Sequence, residues 1–456
     1  MKSRIGDIVS SQREFFEKGY TLPLDFRMAA LKKLQAALVE DEQKLFDALH
    51  EDLRKSPSES YMTELGIVRE DLRHLIKHLP SWIKPQRRKT PLAQFPSKSY
   101  ELASPYGLAL ILSPWNYPVQ LSLAPLSGAL AAGNCAILKP SAFSINTSHV
   151  LASIAAKCFA PEHVTVVEGG RMENQDLLAE KFDYIFFTGS AAVGKFVMES
   201  AARHLTPVSL ELGGKSPCIV DRTAKLPLAA KRLAFGKILN AGQTCVAPDY
   251  LLVDKTVKAE FLKLLAAEMN AAFPEKNYEN LPKIINEKHF KRVCSLIAKE
   301  KVYYGGEHDE ATGKIFPTIL DNCSLDDPIM QEEIFGPVLP VITYETLSEA
   351  LGMIKAHPNP LALYLFSEDK DSQDRVLKGV SFGGGCVNDT IIHLATTHMG
   401  FGGVGESGMG SYHGKFSFDT FSHIKSIVDK STLLDLPMRY HPYTKTYDKM
   451  IRFFVK

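Results

Sequence analysis

The stretch that decides the fold is residues 106–140, YGLALILSPWNYPVQLSLAPLSGALAAGNCAILKP. It contains two short runs of β-type residues, LALILS (108–113) and AILK (136–139), separated by an apolar segment. The 37 residues from Leu102 to Leu138 carry no charge and no histidine, as a membrane helix would require. Four prolines and three glycines divide them into pieces of strand and helix length, so we predict a buried core rather than a membrane span.

The pattern continues after this stretch. Two more β-type runs follow, VTVVEG (164–169) and DYIFFTG (183–189), at intervals of about 25 residues. Residues 145–158 and 191–204, which lie between or after these runs, have helical periodicity. An alternation of strand and helix in this order predicts an α/β fold with a parallel, doubly wound sheet.

A second α/β region begins near Ser216. Its predicted strands are CIVD, YLLVD and ALYLFSED, and its predicted helices are Ala224–Asn240, Thr256–Ala272, Glu287–Lys299 and Leu347–His357. The first 80 or so residues have apolar positions at helical spacing among charges and predict amphipathic helices. The proline- and lysine-containing connector from Trp82 to Tyr100 predicts an extended arm.

Composition excludes several classes of protein. The 456 residues carry 53 Lys+Arg against 52 Asp+Glu, which leaves a net charge of +1 and disfavours a nucleic-acid partner. Apolar residues at 45% and charged residues at 23% are typical of a globular protein and not of a disordered one. Seven cysteines without a C-x-x-C pair, and a polar N-terminus without an apolar leader core, predict a cytoplasmic location.

Three glycine patterns imitate nucleotide or hydrolase motifs. GSAAVGK (189–195) fits a P-loop, but Phe196 stands where a magnesium-binding hydroxyl is required. GVGESG (403–408) has no clear strand before it and no clear helix after it, and GESGM (405–409) lacks the last glycine of a nucleophile elbow. No histidine or cysteine spacing predicts a metal site. What remains is a strand-to-helix turn at 189–194 that could bind a phosphate through its backbone N–H groups.

One cysteine has an unusual setting. Cys245 lies in NAGQTCVAP (240–248), in a glycine-containing turn between a long amphipathic helix and a predicted strand, where a thiol could reach a cleft. Upstream, LELGGKSP (210–217) places Glu211 at the end of a strand. The other six cysteines are interpreted as small buried apolar residues.

Together these two segments resemble the aldehyde dehydrogenase superfamily, and further blocks agree with it. Those blocks are PWNYP (114–118), LKPS (138–141), FTGS (187–190) and EEIFGP (332–337). The C-terminal run FGGVGESGMGSYHGKFSFDTFSH (401–423) is similar to the class 3, or fatty-aldehyde, branch. The resemblance spans nearly the whole chain and implies a Rossmann-like cofactor domain, an α/β catalytic domain and a small bridging arm.

The resemblance also implies the chemistry. Cys245 would add to the aldehyde, and Asn116 together with the Cys245 backbone N–H would stabilise the oxyanion that forms. After hydride transfer to NAD or NADP, Glu211 would activate the water that hydrolyses the thioester. Glu333 and Phe335 match the positions that hold the nicotinamide ribose and nicotinamide. Class 3 enzymes also offer this second carboxylate for water activation, so the division of labour between the two glutamates stays open.

For the rest of the cofactor, the resemblance assigns Lys139 to the adenosine ribose, and Gly189, Ser190 and Gly194 to the turn near the pyrophosphate. The family often has a glutamate three residues after that lysine, where it repels a 2′-phosphate, but this chain has Ala142. We therefore expect NADP to be accepted at a rate at least comparable to NAD.

Substrate residues are less clearly marked. Tyr61, Tyr117, Phe401 and His413 match pocket or gate positions by resemblance, and each could equally be core packing. Their apolar character favours medium- to long-chain aliphatic or aromatic aldehydes. The chain ends in DKMIRFFVK, which is too short to span a membrane.

The resemblance further implies domain boundaries and an oligomeric state. The cofactor domain would comprise residues 1–83 and 102–209, the catalytic domain residues 210–405, and the bridging segments residues 84–101 and 406–440. Such arms pair subunits in the family, so a homodimer is expected. The sequence leaves two alternatives to the dehydrogenase. One is a cysteine hydrolase or acyl-transferase without a redox cofactor, and the other is a non-catalytic structural or binding protein on this scaffold.

Overall fold

The computed structural model describes residues 4–455. The helices are α1 Arg4–Glu17, α2 Leu24–Glu40, α3 Glu42–Leu53, α4 Pro57–Ser60, α5 Gly66–Trp82, α6 Gln120–Ala132, α7 Ile145–Cys158, α8 Arg171–Ala179, α9 Ala191–Ala202, α10 Leu226–Ile238, α11 Lys258–Ala271, α12 Glu287–Ser295, α13 Pro328–Gln331, α14 Leu347–Lys355, α15 Lys370–Gly379, α16 Lys415–Thr420 and α17 Lys445–Phe454. The strands are β1 Gln86–Arg88, β2 Ser97–Pro105, β3 Leu108–Leu112, β4 Cys135–Lys139, β5 Val164–Val166, β6 Tyr184–Thr188, β7 Val208–Glu211, β8 Pro217–Val220, β9 Tyr250–Asp254, β10 Val302–Tyr304, β11 His308–Asp309, β12 Lys314–Ile315, β13 Thr318–Leu320, β14 Val338–Tyr344, β15 Ala362–Phe366, β16 Gly384–Val387, β17 Gly408–Met409 and β18 Ser422–Lys430.

The first large sheet has six strands in the order β17-β7-β6-β3-β4-β5. All of its neighbours are parallel except β17, which runs antiparallel to β7. The chain enters this sheet at the central strand β3. It then adds β4 and β5 on one side of β3, and β6 and β7 on the other side. The strand order therefore reverses between β3 and β6, and the crevice at the carboxyl ends of these strands is where doubly wound sheets bind ligands.

The second large sheet has seven strands in the order β10-β13-β14-β9-β8-β15-β16. Only the β10–β13 pair is antiparallel. Its connections alternate with helices α10 to α15, as the sequence predicts for the region after Ser216. The prediction of two α/β sheets with parallel strands is confirmed.

Both sheets are buried because their strands are apolar on both faces. Every residue of β3, β4 and β6 is buried, which is typical of parallel strands covered by helices on both sides. Helix α6 is buried along all of its length, so the uncharged stretch from Leu102 to Leu138 forms the centre of the first sheet and a covering helix. Among residues 4–455, no helix combines the length and apolar character needed to cross a membrane.

A third sheet lies apart from the two large ones, in the order β1-β2-β18. Strands β2 and β18 pair antiparallel over nine positions, from Pro105 opposite Ser422 to Ser97 opposite Lys430. This pairing joins the two segments that the sequence assigns to the bridging arm, which are more than 300 residues apart. Strand β2 runs on to Pro105, past the expected boundary at residue 101, and β17 joins the first sheet instead of the arm.

The N-terminal helices α2, α3 and α5 pack on α6 and α7. Between α4 and α5 the backbone makes one π-helical turn, Tyr61–Leu65, where the periodicity predicts an ordinary helix from residue 61. A π turn inserts an extra residue and rotates the side chains that follow, and such turns often occur at functional sites.

Candidate active site

Several predicted site residues meet at the crevice of the first sheet. Leu112, the last residue of β3, pairs with Lys139 on β4 and with Phe187 on β6, so these three strands end at the same level. Glu211, the last residue of β7, lies beside Thr188 at that level. The loop after β3 carries Asn116, which is buried, with 3% of its surface exposed.

Cys245 approaches this crevice from the second sheet, in the loop between α10 and β9. Asn240 and Ala241 both adopt left-handed backbone conformations (φ of 51° and 52°), which turn the chain sharply after the helix. Cys245 is half-buried, and its pKa is raised above the ordinary value by burial first, then by the Glu333 and Glu211 carboxylates. The thiol is therefore protonated at rest at neutral pH and needs a base before it can act as a nucleophile.

The oxyanion donor predicted from the sequence lies next to this loop. The Nδ2 of Asn116 donates to the carbonyl of Gln243, two residues before Cys245, over 3.1 Å. That amide has two N–H groups, so one remains for a substrate oxygen. The hydroxyl groups of Tyr117 and Thr244 bond each other at 2.6 Å, which ties the same two loops together.

The two predicted carboxylates are enclosed and electrostatically close to Cys245. Burial raises the pKa of Glu211 well above its ordinary value, and neither of its oxygens has a hydrogen-bond partner among the described residues. Burial also raises the pKa of Glu333 to about 8, with a further contribution from Asp249. The Oε1 of Glu333 lacks a partner in residues 4–455 as well. Carboxylates with raised pKa values next to a thiol suit proton transfer near neutral pH.

Two glycines leave space for the side chains around these groups. A Cβ at Gly213 would lie 2.6 Å from the carboxylate carbon of Glu333, and one at Gly194 would lie 2.7 Å from Leu212 Cδ2. Real Cβ atoms do not approach so closely, so glycine leaves room for Glu333 to lie against the strand.

The residues of the phosphate-binding turn fit a dinucleotide. Gly189 and Ser190 connect β6 to α9, and the Ser190 side chain makes no capping bond. The first intrahelical bond of this turn is from the N–H of Gly194 to the carbonyl of Ser190, which leaves the preceding N–H groups for a phosphate. A Cβ at Gly189 would lie 2.5 Å from the Phe187 ring, so this turn also requires glycine.

Lys139 and Phe335 complete the predicted cofactor set. The Nζ of Lys139 donates to the carbonyls of Pro140 (2.8 Å) and Gly169 (2.7 Å), and burial lowers the pKa of this lysine to about 8. Phe335 has a left-handed backbone (φ 50°), and its ring meets that of Trp115 edge-on at 5.3 Å. With the unpartnered Glu333 oxygen and the open helix terminus, these groups fit a nicotinamide dinucleotide lying across the crevice.

An apolar tunnel leads from Cys245 to the surface. The cavity has a volume of about 150 Å³. Most lining side chains are aliphatic or aromatic: Met62, Ile67, Tyr117, Leu121, Phe235, Leu239, Val246, Ile391, Ile392, Leu394, Ala395, Phe401 and Tyr412. The polar members are Thr63, Gln120, Thr244 and His413.

Three of the four residues proposed for the substrate side line this tunnel, and Tyr61 does not. Tyr117, Phe401 and His413 are buried in its wall. The His413 Nδ1 bonds Asp71 Oδ2 at 2.7 Å. Tyr61 is 44% exposed, with the Arg69 guanidinium 5.7 Å above its ring, and among the described residues the tunnel is lined by its neighbour Met62 instead.

Sequence reasoning missed the residues that surround the site and do not match a motif. Examples are Lys55 and Glu64, which form a fully buried ion pair, and Asn240, whose amide bonds the carbonyl of Asn116. A lysine in a helix connection, such as Lys55, or a glutamate in an apparently amphipathic helix, such as Glu64, carries no sign that it is buried, because charged residues are usually assigned to the solvated surface. Asn240 lies inside the recognised block, and its left-handed backbone could have been suspected from the asparagine.

Comparison with known proteins identifies the family of this chain. The aldehyde dehydrogenase family profile matches residues 2–427. Three similar proteins are 4,4'-diaponeurosporen-aldehyde dehydrogenase of Staphylococcus aureus (46% identical, covering 97% of both chains), aldehyde dehydrogenase family 3 member B1 of Bos taurus (45% identical, 96% of this chain and 94% of that one), and the dimeric NADP-preferring aldehyde dehydrogenase of Canis lupus familiaris (42% identical, 96% and 98%).

Solved structures give the same result. A substrate-bound state of Staphylococcus aureus AldH has a TM-score of 0.98 and 45% identity, with both chains covered completely. An indole-3-acetaldehyde dehydrogenase in complex with NAD+ has a TM-score of 0.85 and 26% identity, over 94% of this chain and 89% of that one. The resemblance drawn from the motifs is confirmed, and the chain belongs to the aldehyde dehydrogenase family, in its class 3 branch.

Proposed function

We propose that Cys245 is the nucleophile with which this chain oxidises apolar aldehydes to carboxylic acids. Family membership gives the reaction class, which is the NAD- or NADP-dependent oxidation of an aldehyde. The observation that carries the assignment to Cys245 is its setting. Cys245 lines the apolar tunnel, two residues after the carbonyl to which the Asn116 amide donates, and the enclosed Glu211 and Glu333 carboxylates, which have unpartnered oxygens among the described residues, contribute to raising the pKa of its thiol.

The first step joins the substrate to the enzyme. Glu211 or Glu333 takes the proton of the Cys245 thiol, and the sulfur forms a bond to the aldehyde carbon while the carbonyl oxygen becomes an oxyanion. The free N–H of Asn116 and the backbone N–H of Cys245 donate to that oxyanion. Each such donor typically contributes about 3 kcal/mol to lowering the barrier.

The second half releases the acid. NAD or NADP, when bound, would accept a hydride from the former aldehyde carbon, so that a thioester remains on Cys245. Glu211 takes a proton from water, the resulting hydroxide attacks the thioester, and the C–S bond breaks to give the carboxylic acid and the Cys245 thiolate, which takes the proton back from Glu211. Glu333 would hold the nicotinamide ribose by accepting hydroxyl hydrogen bonds, and remains an alternative base for the water.

The apolar tunnel supports medium- to long-chain aliphatic or aromatic aldehydes as substrates. Its wall offers few polar groups, so binding depends on burying hydrocarbon. The Staphylococcus aureus relative is named for 4,4'-diaponeurosporen-aldehyde. We propose that the chain-length preference follows the length of the tunnel.

We further propose that NADP is accepted at least as well as NAD. Ala142 stands, exposed, three residues after Lys139, so the carboxylate that would repel a 2′-phosphate at this position is missing. The Canis lupus familiaris relative is named as NADP-preferring.

A homodimer is proposed on two grounds. Strand β18 is an edge strand of the bridging sheet, with Ile424 and Val428 exposed, and such an edge can pair with another chain. The same Canis lupus familiaris relative is named as dimeric. All seven cysteines are free thiols, which agrees with a reducing compartment, and we propose a cytoplasmic location on that basis.

The experiment that tests the proposal is a quenched-flow reaction of octanal with NADP, followed by peptide mass spectrometry. A peptide containing Cys245 and heavier by the octanoyl group is the expected result, with Cys386, another half-buried thiol, unmodified. Acylation at another residue, or turnover without any acylated peptide, would refute the role of Cys245. The hydrolase alternative predicts acylation from an octanoyl ester but no NADPH from octanal; neither the site nor the relatives favour it.

A further inference from the structure

A fully buried ion pair lies behind the active-site loops. The Lys55 Nζ and the Glu64 Oε1 are 2.6 Å apart, and both side chains are 0% exposed. Removing two charges from water is costly, and a pair of apolar residues would often be as stable. The pair therefore requires an explanation other than stability.

Both partners hold the loop that carries Asn116. The second oxygen of Glu64, Oε2, accepts hydrogen bonds from the N–H groups of Val119 (2.7 Å) and Gln120 (3.3 Å), at the start of α6. A carboxylate at this end of a helix is favoured by the free N–H groups and the helix dipole. Lys55 Nζ lies 3.3 Å from the carbonyl oxygen of Asn116. The pair thus holds the Asn116 segment at both ends.

Asn240 holds the same carbonyl from the opposite side. Its Nδ2 donates to the Asn116 carbonyl at 2.8 Å and to the Gln243 carbonyl at 3.1 Å. Its own backbone N–H donates to Glu59 Oε1 at 2.7 Å, which fixes the left-handed turn. The Gln243 carbonyl is also the acceptor for the Asn116 side chain, so Asn240 connects the backbone of Asn116 to the group that orients its amide.

We propose that Lys55, Glu64 and Asn240 are positioning residues that fix the Asn116 amide as an oxyanion donor. None of the three lines the substrate tunnel, and each acts through the backbone of Asn116 or of the helix that follows it. The π turn at Tyr61–Leu65 is the element that brings Glu64 beneath α6. The inference rests on the proposed function, because it assumes that Asn116 donates to the oxyanion.

The first test is Asn240→Gly, with Ala241→Gly as its matched control. Both positions have left-handed backbones, so glycine fits each without strain, but only the first substitution removes hydrogen bonds to the Asn116 loop. We expect kcat for aldehyde oxidation and for hydrolysis of 4-nitrophenyl acetate to fall about 10- to 100-fold in Asn240→Gly. Alkylation of Cys245 by iodoacetamide forms no oxyanion, so its rate in Asn240→Gly should stay within twofold of wild type. In Ala241→Gly, the rates of aldehyde oxidation, ester hydrolysis and alkylation should all stay within twofold of wild type.

The second test is a double-variant cycle of Glu64→Gln and Asn116→Ala. If Glu64 acts through Asn116, the double variant loses no more activity than Asn116→Ala alone. The inference would be overturned if the double variant lost activity by the product of the two single-variant factors. It would also be overturned if Glu64→Gln and Asn240→Gly both folded and both had the kcat of wild type. If Asn116→Ala itself leaves kcat unchanged, the proposed oxyanion assignment fails and the inference fails with it. An insoluble Glu64→Gln leaves the decision to Asn240→Gly.

Discussion

Replacement of Gly213 by alanine should displace the Glu333 carboxylate while the protein stays folded. A Cβ at Gly213 would lie 2.6 Å from the carboxylate carbon of Glu333. Carbon atoms in contact are about 3.5–4.0 Å apart, so the carboxylate must retreat by about 1 Å. The contact is to the end of a flexible side chain and not to backbone, so the methyl group can be accommodated by moving that side chain.

The cost should therefore appear in function and not in stability. The retreat costs little folding free energy, because the Glu333 Oε1 has no hydrogen-bond partner among residues 4–455 that the movement would break. A misplacement of about 1 Å in a site that positions a reactant typically lowers the rate about 100-fold. This corresponds to about 2.7 kcal/mol of transition-state stabilisation. We expect kcat/KM for NAD to fall by about that factor.

The assay is NADH formation at 340 nm at saturating aldehyde with NAD varied, beside a thermal melt. Glu333→Gln and the double variant Gly213→Ala/Glu333→Gln test whether the loss is caused by displacement of Glu333. If it is, the double variant has the same kcat/KM for NAD as Glu333→Gln. Gly352→Ala, on an exposed helix position with no atom near its Cβ, controls for the substitution itself. A kcat/KM for NAD within twofold of wild type in Gly213→Ala, or a collapse of the melt, would refute this reasoning.

Three further predictions concern the cofactor and the tunnel. Burial raises the pKa of Glu333 to about 8, so the carboxyl is protonated below that pH and accepts ribose hydrogen bonds less well. We therefore expect kcat/KM for NAD to fall as the pH drops through 8. A Glu333→Gln variant whose pH profile shows the same fall would contradict this. Ala142→Glu should lower kcat/KM for NADP at least tenfold and leave NAD unchanged in parallel kinetics, and equal loss with both would refute the 2′-phosphate argument. For straight-chain aldehydes, kcat/KM should rise about fourfold per CH₂ until the tunnel is filled, and a flat series would show that the tunnel does not bind the chain.

The central strands of both large sheets could be predicted because they are short apolar runs with turn residues between them. The run 108–113 became β3 at Leu108–Leu112, and DYIFFTG became β6 at Tyr184–Thr188. Such runs carry their own signal, since strands buried on both faces lack polar residues. The family was predicted from blocks around Asn116, Glu211 and Cys245, and the comparisons confirm it.

Features that depend on distant parts of the chain could not be predicted. The pairing of β2 with β18 joins segments more than 300 residues apart, and no local pattern specifies the partner. The π turn at Tyr61–Leu65 leaves the apolar periodicity nearly intact, and within it Tyr61 is exposed and Glu64 is buried. The fit of Glu333 against Gly213 depends on how the two sheets meet, which spacing along the chain does not encode.

The measurement that tests the central claim most directly is NAD(P)H formation at 340 nm from a series of aldehydes, with wild type, Cys245→Ala and Cys386→Ala in parallel. Cys386 is a half-buried thiol near the tunnel: its Sγ lies 3.6 Å from His393 Nδ1, and the His393 ring contacts the tunnel residue Phe401. Cys386 has no proposed role in the reaction. We expect activity in wild type and Cys386→Ala, and its loss in Cys245→Ala although that variant folds and still binds NAD. Aldehyde oxidation that persists in Cys245→Ala would show that Cys245 is not the nucleophile.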